Sequence, residues 1–106
     1  MADTVLDQLE ATIRARRDAD PDSSYVARLF AKGRAKIAQK VGEEAVETAL
    51  AAVGADPAAL VPEAADLVFH LLVLLADAGH SLDDVRAELA RREGLSGIAE
   101  KAARSR

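Results

Sequence analysis

The chain has 106 residues, a formal net charge of −4 and no cysteine. That balance fits one domain, excludes a disulfide framework or a thiolate metal site, and argues against general nucleic-acid binding. Half of the residues are apolar, but only Tyr25, Phe30 and Phe69 are aromatic, so Ala, Leu and Val dominate, which suits closely packed helices.

Thr4 is positioned to cap a first helix running to about Asp18, with Val5, Leu6, Leu9 and Ile13 as its apolar stripe. The opening MADTVLDQLE is acidic and amphipathic, unlike a signal peptide. Residues Asp18 to Ser23 read as a loop. Ser24 is positioned to cap a short second helix carrying Tyr25, Val26, Leu29 and Phe30, which Gly33 ends or kinks. A long helix follows from Arg34 to Val53. Gly42 inside it costs about 1 kcal/mol relative to Ala; it marks either a close helix approach or a tolerated surface glycine. Gly54 to Pro57 forms a turn.

The fourth helix starts between Pro57 and Pro62 and ends at Gly79. From Ala64 to Ala76 it is apolar almost all round, the pattern of a helix covered on most sides. One chain this small has little material to cover it, so self-association is expected. Its longest charge-free run, Leu67 to Ala76, is too short to span a bilayer, and a cytoplasmic location is expected. Ser81 caps a fifth helix whose first turn is acidic (Asp83, Asp84) and whose last turn is basic (Arg91, Arg92), both suited to the helix dipole. Residues 1–93 read as one domain and residues 94–106 as a frayed tail. No alternation of period two appears, so the fold class is all-α: a bundle of four to five helices completed by homo-oligomerisation.

The chemistry concentrates in E-A-V-E (Glu44, Glu47) and E-A-A-D (Glu63, Asp66). Spacing of i,i+3 puts each pair on one helix face. The short connection makes the two helices antiparallel neighbours, so four carboxylates converge. Ionised carboxylates about 4 Å apart repel by roughly 1–4 kcal/mol; Mg²⁺ or Mn²⁺, hard cations that prefer oxygen ligands, relieve that repulsion. A single E-x-x-E is most often a solvated face. The second pair shifts the balance, because Asp66 directly precedes the apolar run of the helix expected to be most buried, where a carboxylate needs a partner. A lysine or arginine is the alternative partner to a metal.

At about 100° per residue, Lys36, Lys40, Glu43, Glu44 and Glu47 share one arc, with Val41, Ala45, Ala49 and Ala52 on the other side. Glu63, Asp66 and His70 share an arc of the fourth helix. His70 is either a support for a metal ligand or a satisfied core histidine, and His80 is a loop residue. Lys32, Arg34, Lys36 and Lys40 form a basic cluster, read as either a solvated face or a phosphate clamp.

The strings A-K-G-R-A-K-I-A-Q-K-V-G-E-E-A-V-E-T (Ala31 to Thr48) and E-A-A-D-L-V-F-H-L-L-V-L-L (Glu63 to Leu75), with S-L-D-D-V-R-A-E-L-A-R-R (Ser81 to Arg92), closely resemble the phosphoribosyl-ATP pyrophosphatase family. The E-x-x-E…E-x-x-D pattern alone is shared with the wider MazG-like all-α nucleotide pyrophosphatases. Arg34 stands where the family often has Pro. The resemblance implies hydrolysis of phosphoribosyl-ATP to phosphoribosyl-AMP and pyrophosphate, the second step of histidine biosynthesis. It also implies Mg²⁺ dependence, a homodimer and a functional association with a phosphoribosyl-AMP cyclohydrolase. By position it gives Glu44, Glu47, Glu63 and Asp66 the metal-ligand role. Glu43 and Glu44 are both candidates for the base, and Lys36, Lys40, Lys32 and Arg34 for holding phosphates. A house-cleaning nucleoside triphosphate pyrophosphatase and a non-catalytic helical assembly module are the rival readings.

Overall fold

The computed structural model describes residues 4–93 together with Lys101 and Arg104. The Thr4 side chain, and with it the expected cap, and most of the tail assigned to residues 94–106 lie outside the described residues. The helices are α1 (Thr4–Ala15), α2 (Tyr25–Lys32), α3 (Arg34–Val53), α4 (Leu60–Asp77) and α5 (Leu82–Arg92), with a 3₁₀ turn over Pro57–Ala59 before α4. No strand occurs among the described residues.

α1 stops at Ala15, three residues before the expected end at Asp18. Arg16 N–H still reaches Thr12 O, but Arg17 and Ala19 N–H donate three residues back, to Arg14 O and Arg16 O, so the exit tightens. Tertiary bonds anchor that exit: the Arg14 guanidinium donates to His80 O at 2.7 Å, and Arg17 donates to Ala76 O at 3.2 Å while lying 4.8 Å over the Phe30 ring. Capping of α2 follows the sequence, with Ser24 Oγ accepting from Ala27 N–H at 3.2 Å. Gly33 separates α2 from α3 at φ 92°, a backbone conformation that disfavours any side chain. Gly42 is exposed, and a Cβ there would meet nothing within 4 Å; it is a tolerated surface glycine, not a close-approach point.

α3 and α4 pack antiparallel, since Arg34 at the start of α3 pairs with Asp77 at the end of α4. The apolar core comprises Ile13, Val26, Leu29, Ile37, Leu72, Val73 and Ala76. It therefore sits where α1, α2, the first half of α3 and the second half of α4 meet. Toward the turn, Val46, Leu50 and Val53 on α3 and Leu60, Val61, Val68 and Leu71 on α4 are exposed. The small-residue face of Ala45, Ala49 and Ala52 is exposed as well. The fourth helix, expected to be covered on most sides, is thus covered only along its second half by this chain's own core. By length and composition alone Pro57–Asp77 could cross a membrane; the central helix of a globular core meets the same criteria, and α4 supplies Leu72, Val73 and Ala76 to this core.

α5 begins with the expected Ser81 cap, completed as a capping box by Asp84. Two bonds to α1 fix it: Arg86 Nη1 to Asp7 Oδ1 at 2.9 Å and Leu82 N–H to Glu10 Oε2 at 2.7 Å.

Candidate active site

Glu44 projects from the face of α3 that meets α4, just past the edge of the apolar core. It is buried, and its Oε2 has no hydrogen-bond partner. Glu63 and Asp66 approach from the first two turns of α4. One oxygen from each of Glu44, Glu63 and Asp66 lies within 4.8 Å of the others. Glu63 Oε2 is also buried without a partner. Two orphaned carboxylate oxygens on neighbouring residues are costly in a protein interior. An all-oxygen set at this separation matches the donors a hard divalent cation takes.

Burial pushes the Glu44 pKa up, and the adjacent Glu47 carboxyl pushes it the same way, against the pull of His70 and Lys40. Glu47 is exposed and stands beside Glu44 but outside the close trio. The apolar run that follows Asp66 points to a buried aspartate; the structure buries Glu44 instead. Asp66 lies on an open face of α4, because the apolar core begins only a turn further along that helix.

Glu43 points outward. Gln39 Nε2 donates to it at 2.8 Å, and this bond, more than the nearby lysines, holds its pKa below the ordinary glutamate range. Lys40 stands 3.6 Å from both Glu43 Oε1 and Glu44 Oε1. Partial burial works to lower the Lys40 pKa, but the fields of Tyr25, Glu43 and Glu44 outweigh it and leave it raised. Lys32, Lys36, Gln39, Lys40 and Glu43 line an open groove of about 420 Å³ beside the carboxylates. Three ammonium groups along one groove form a surface suited to a chain of phosphates.

Arg34, grouped with these lysines from the sequence, is not brought to the groove. Its Nε donates to Asp77 Oδ2 at 2.6 Å and its Nη2 to Asp77 O at 3.1 Å. Ten residues of helix separate it from Glu44, about 15 Å along the axis. His70 is buried and donates from Nδ1 to the Asp66 backbone carbonyl at 2.7 Å, not to a carboxylate. Its Nε2 accepts from the Tyr25 hydroxyl at 2.9 Å. The sequence shows Tyr25 only as part of the second helix's apolar set; the serine–tyrosine start of that helix carries no signal for the polar role its hydroxyl takes. His80 is an exposed loop residue, as expected.

Comparison with known proteins agrees with the geometry. A family model described as phosphoribosyl-ATP pyrophosphohydrolase matches residues 6–93. The phosphoribosyl-ATP pyrophosphatase of Rhizorhabdus wittichii is 69% identical over 99 residues, 93% of each chain. That of Erythrobacter litoralis is 68% identical over 99 residues, 93% of this chain and 95% of the relative. That of Azospirillum brasilense is 62% identical over 100 residues, 94% of this chain and 90% of the relative.

Proposed function

The chain belongs to the phosphoribosyl-ATP pyrophosphohydrolase family, and on that premise we propose that it hydrolyses phosphoribosyl-ATP to phosphoribosyl-AMP and pyrophosphate, the second step of histidine biosynthesis, using Mg²⁺. The observation that carries the cation is the convergence of Glu44, Glu63 and Asp66 oxygens with two buried oxygens left unpartnered. Those three residues, joined by Glu47, are the proposed ligands; Mn²⁺ is a chemically suitable substitute. When bound there, the cation supplies positive charge for polyphosphate oxygens and lowers the pKa of bound water.

The protein's own groups divide the remaining work. Lys32, Lys36 and Lys40 bind phosphate oxygens along the groove, and Lys40 links that groove to Glu44. Arg34 is left out of this set because Asp77 engages its guanidinium. Of the two candidate bases, Glu44 stands among the proposed cation ligands, where the attacking water would be held, whereas Glu43 points outward and is bonded to Gln39, so Glu44 is the better placed to take the water's proton. The water oxygen adds to phosphorus as the phosphoanhydride breaks, and pyrophosphate leaves.

The exposed apolar residues of the α3–α4 hairpin end are the proposed homodimer surface. Val46, Leu50 and Val53 on α3 and Val61 and Val68 on α4 are exposed, and exposed apolar surface of that extent fits an association site. Residues 1–93 form the working domain, in the cytoplasm, with the product passing to a phosphoribosyl-AMP cyclohydrolase. Pyrophosphate release from phosphoribosyl-ATP, compared with a panel of free nucleoside triphosphates in the presence of MgCl₂, tests the reading. Turnover favouring phosphoribosyl-ATP supports it. Preference for the free triphosphates assigns the house-cleaning role instead.

A further inference from the structure

Tyr25 is the first residue of α2 and is half-exposed, yet its hydroxyl reaches the buried His70 ring. The Nδ1 of that ring faces a carbonyl oxygen, Asp66 O, at 2.7 Å. A carbonyl cannot donate, so Nδ1 carries the proton and Nε2 is the acceptor. The Tyr25 O–H therefore donates to Nε2, and both ring nitrogens are committed. Aromatic edges complete the clamp. His70 stands nearly perpendicular to Phe69 at 5.1 Å and to Tyr25 at 5.9 Å, and Tyr25 stacks on Phe69 at 6.0 Å. The ring has one orientation, set from outside its own helix by a residue of α2.

What stands around that ring gives the clamp a purpose. His70 lies one turn beyond Asp66 and is bonded to its carbonyl. Asp66 supplies one of the three converging carboxylate oxygens, so the imidazole is bonded to the backbone of a proposed cation ligand. Through the ring, the Tyr25 hydroxyl thus reaches a proposed cation ligand. We propose that Tyr25 and His70 are positioning residues for the cation site: the Tyr25 hydroxyl fixes the imidazole, and the fixed imidazole, bonded to the Asp66 carbonyl, holds that turn of α4 so that Asp66 meets Glu44 and Glu63. Neither ring nitrogen is offered as a ligand, so the donor set stays all-oxygen. The pair also ties α2, which enters the core through Val26 and Leu29, to the geometry of the carboxylates. This inference rests on the reading of Glu44, Glu63 and Asp66 as a cation site.

Tyr25→Phe removes one oxygen and keeps the ring and its stacking. Three quantities are measured on the full chain: the MgCl₂-induced rise in melting temperature above each protein's own metal-free baseline, with NaCl at matched ionic strength as control; kcat; and KM for phosphoribosyl-ATP at saturating Mg²⁺. Loss of a residue that orients a ligand commonly costs 10–100-fold in metal affinity. The expected result is a half-maximal Mg²⁺ concentration about tenfold higher, a lower kcat below saturation, and a KM within about twofold of the parent. His70→Gln, whose side-chain carbonyl can accept from Tyr25, is expected to retain more of the Mg²⁺ response than His70→Ala, which guards against a mere folding defect. A parent response undiminished in Tyr25→Phe overturns this proposal alone. A raised KM with an unchanged Mg²⁺ requirement also overturns it, making Tyr25 a substrate contact. No Mg²⁺ response in the parent overturns the cation site and this proposal with it.

Discussion

Lys40 Nζ lies 3.6 Å from Glu44 Oε1, while the other oxygen of the same carboxylate is buried with no partner. Glu44 thus meets a lysine of the groove and also converges with the carboxylates of Glu63 and Asp66. Lys40→Met keeps the length of the side chain and removes its charge. A hydrogen bond to a charged group is worth roughly 1.5–3 kcal/mol, so KM for phosphoribosyl-ATP should rise about 10- to 100-fold. Steady-state kinetics at saturating Mg²⁺ checks this; an unchanged KM would remove Lys40 from the phosphate site.

Glu44→Gln should abolish turnover and yet stabilise the metal-free fold. The sign follows from the raised pKa. A carboxyl that holds its proton more tightly folded than unfolded favours the fold most below the ordinary glutamate pKa of about 4.3. That contribution disappears as pH rises through the raised value. The metal-free parent should therefore lose melting temperature over this interval relative to Glu44→Gln. Melting curves in chelator from pH 4 to 7 report the difference, and parallel pH profiles for the two proteins would contradict it.

Arg34→Ala and Lys36→Ala should behave oppositely. Arg34 is bonded to Asp77 across the open end of the α3–α4 pair, with its own side chain largely exposed. Its loss should cost about 1 kcal/mol of stability and leave KM within about twofold. Lys36 lines the groove, and its loss should raise KM with little change in melting temperature. A large KM effect from Arg34→Ala would return it to the substrate site.

Leu50→Glu puts a charge in the middle of the exposed apolar stripe, one helical turn from Val46 and nearly one from Val53. Light scattering at micromolar concentration should give a dimer for the parent and a shift toward monomer for the variant. A parent that is monomeric under these conditions would contradict the proposed interface.

Much of this fold was legible because local chemistry and tertiary structure agree in it. Ser24 and Ser81 cap where a serine before an amphipathic run should, Gly33 breaks where only positive φ fits, and α3 runs from Arg34 to Val53 as its periodicity requires. Less legible was anything set by distant contacts. α1 ends early because Arg14 and Arg17 reach carbonyls some sixty residues away, which no local pattern records. The apolar run after Asp66 suggested a buried aspartate, but burial depends on where the other helices reach, and they cover Glu44 instead. Periodicity put Glu44, Glu63 and Asp66 on facing arcs correctly. It could not separate Arg34 from the lysines, since that depends on Asp77, 43 residues further along the chain. Tyr25 was missed as a polar partner because its acceptor lies 45 residues away.

The central claim is that Glu44, Glu47, Glu63 and Asp66 make one specific divalent-cation site. Its most direct test is the melting temperature of the parent and of Asp66→Asn in MgCl₂ and in NaCl of matched ionic strength. A cation that binds only the folded protein stabilises it by about 2.7 kcal/mol at a hundredfold excess over Kd, whereas screening of an acidic surface responds to both salts alike. The account predicts a rise with MgCl₂ well above that with NaCl in the parent, and loss of most of that excess in Asp66→Asn. Equal rises with the two salts, or an Asp66→Asn protein that responds to MgCl₂ like the parent, would contradict it.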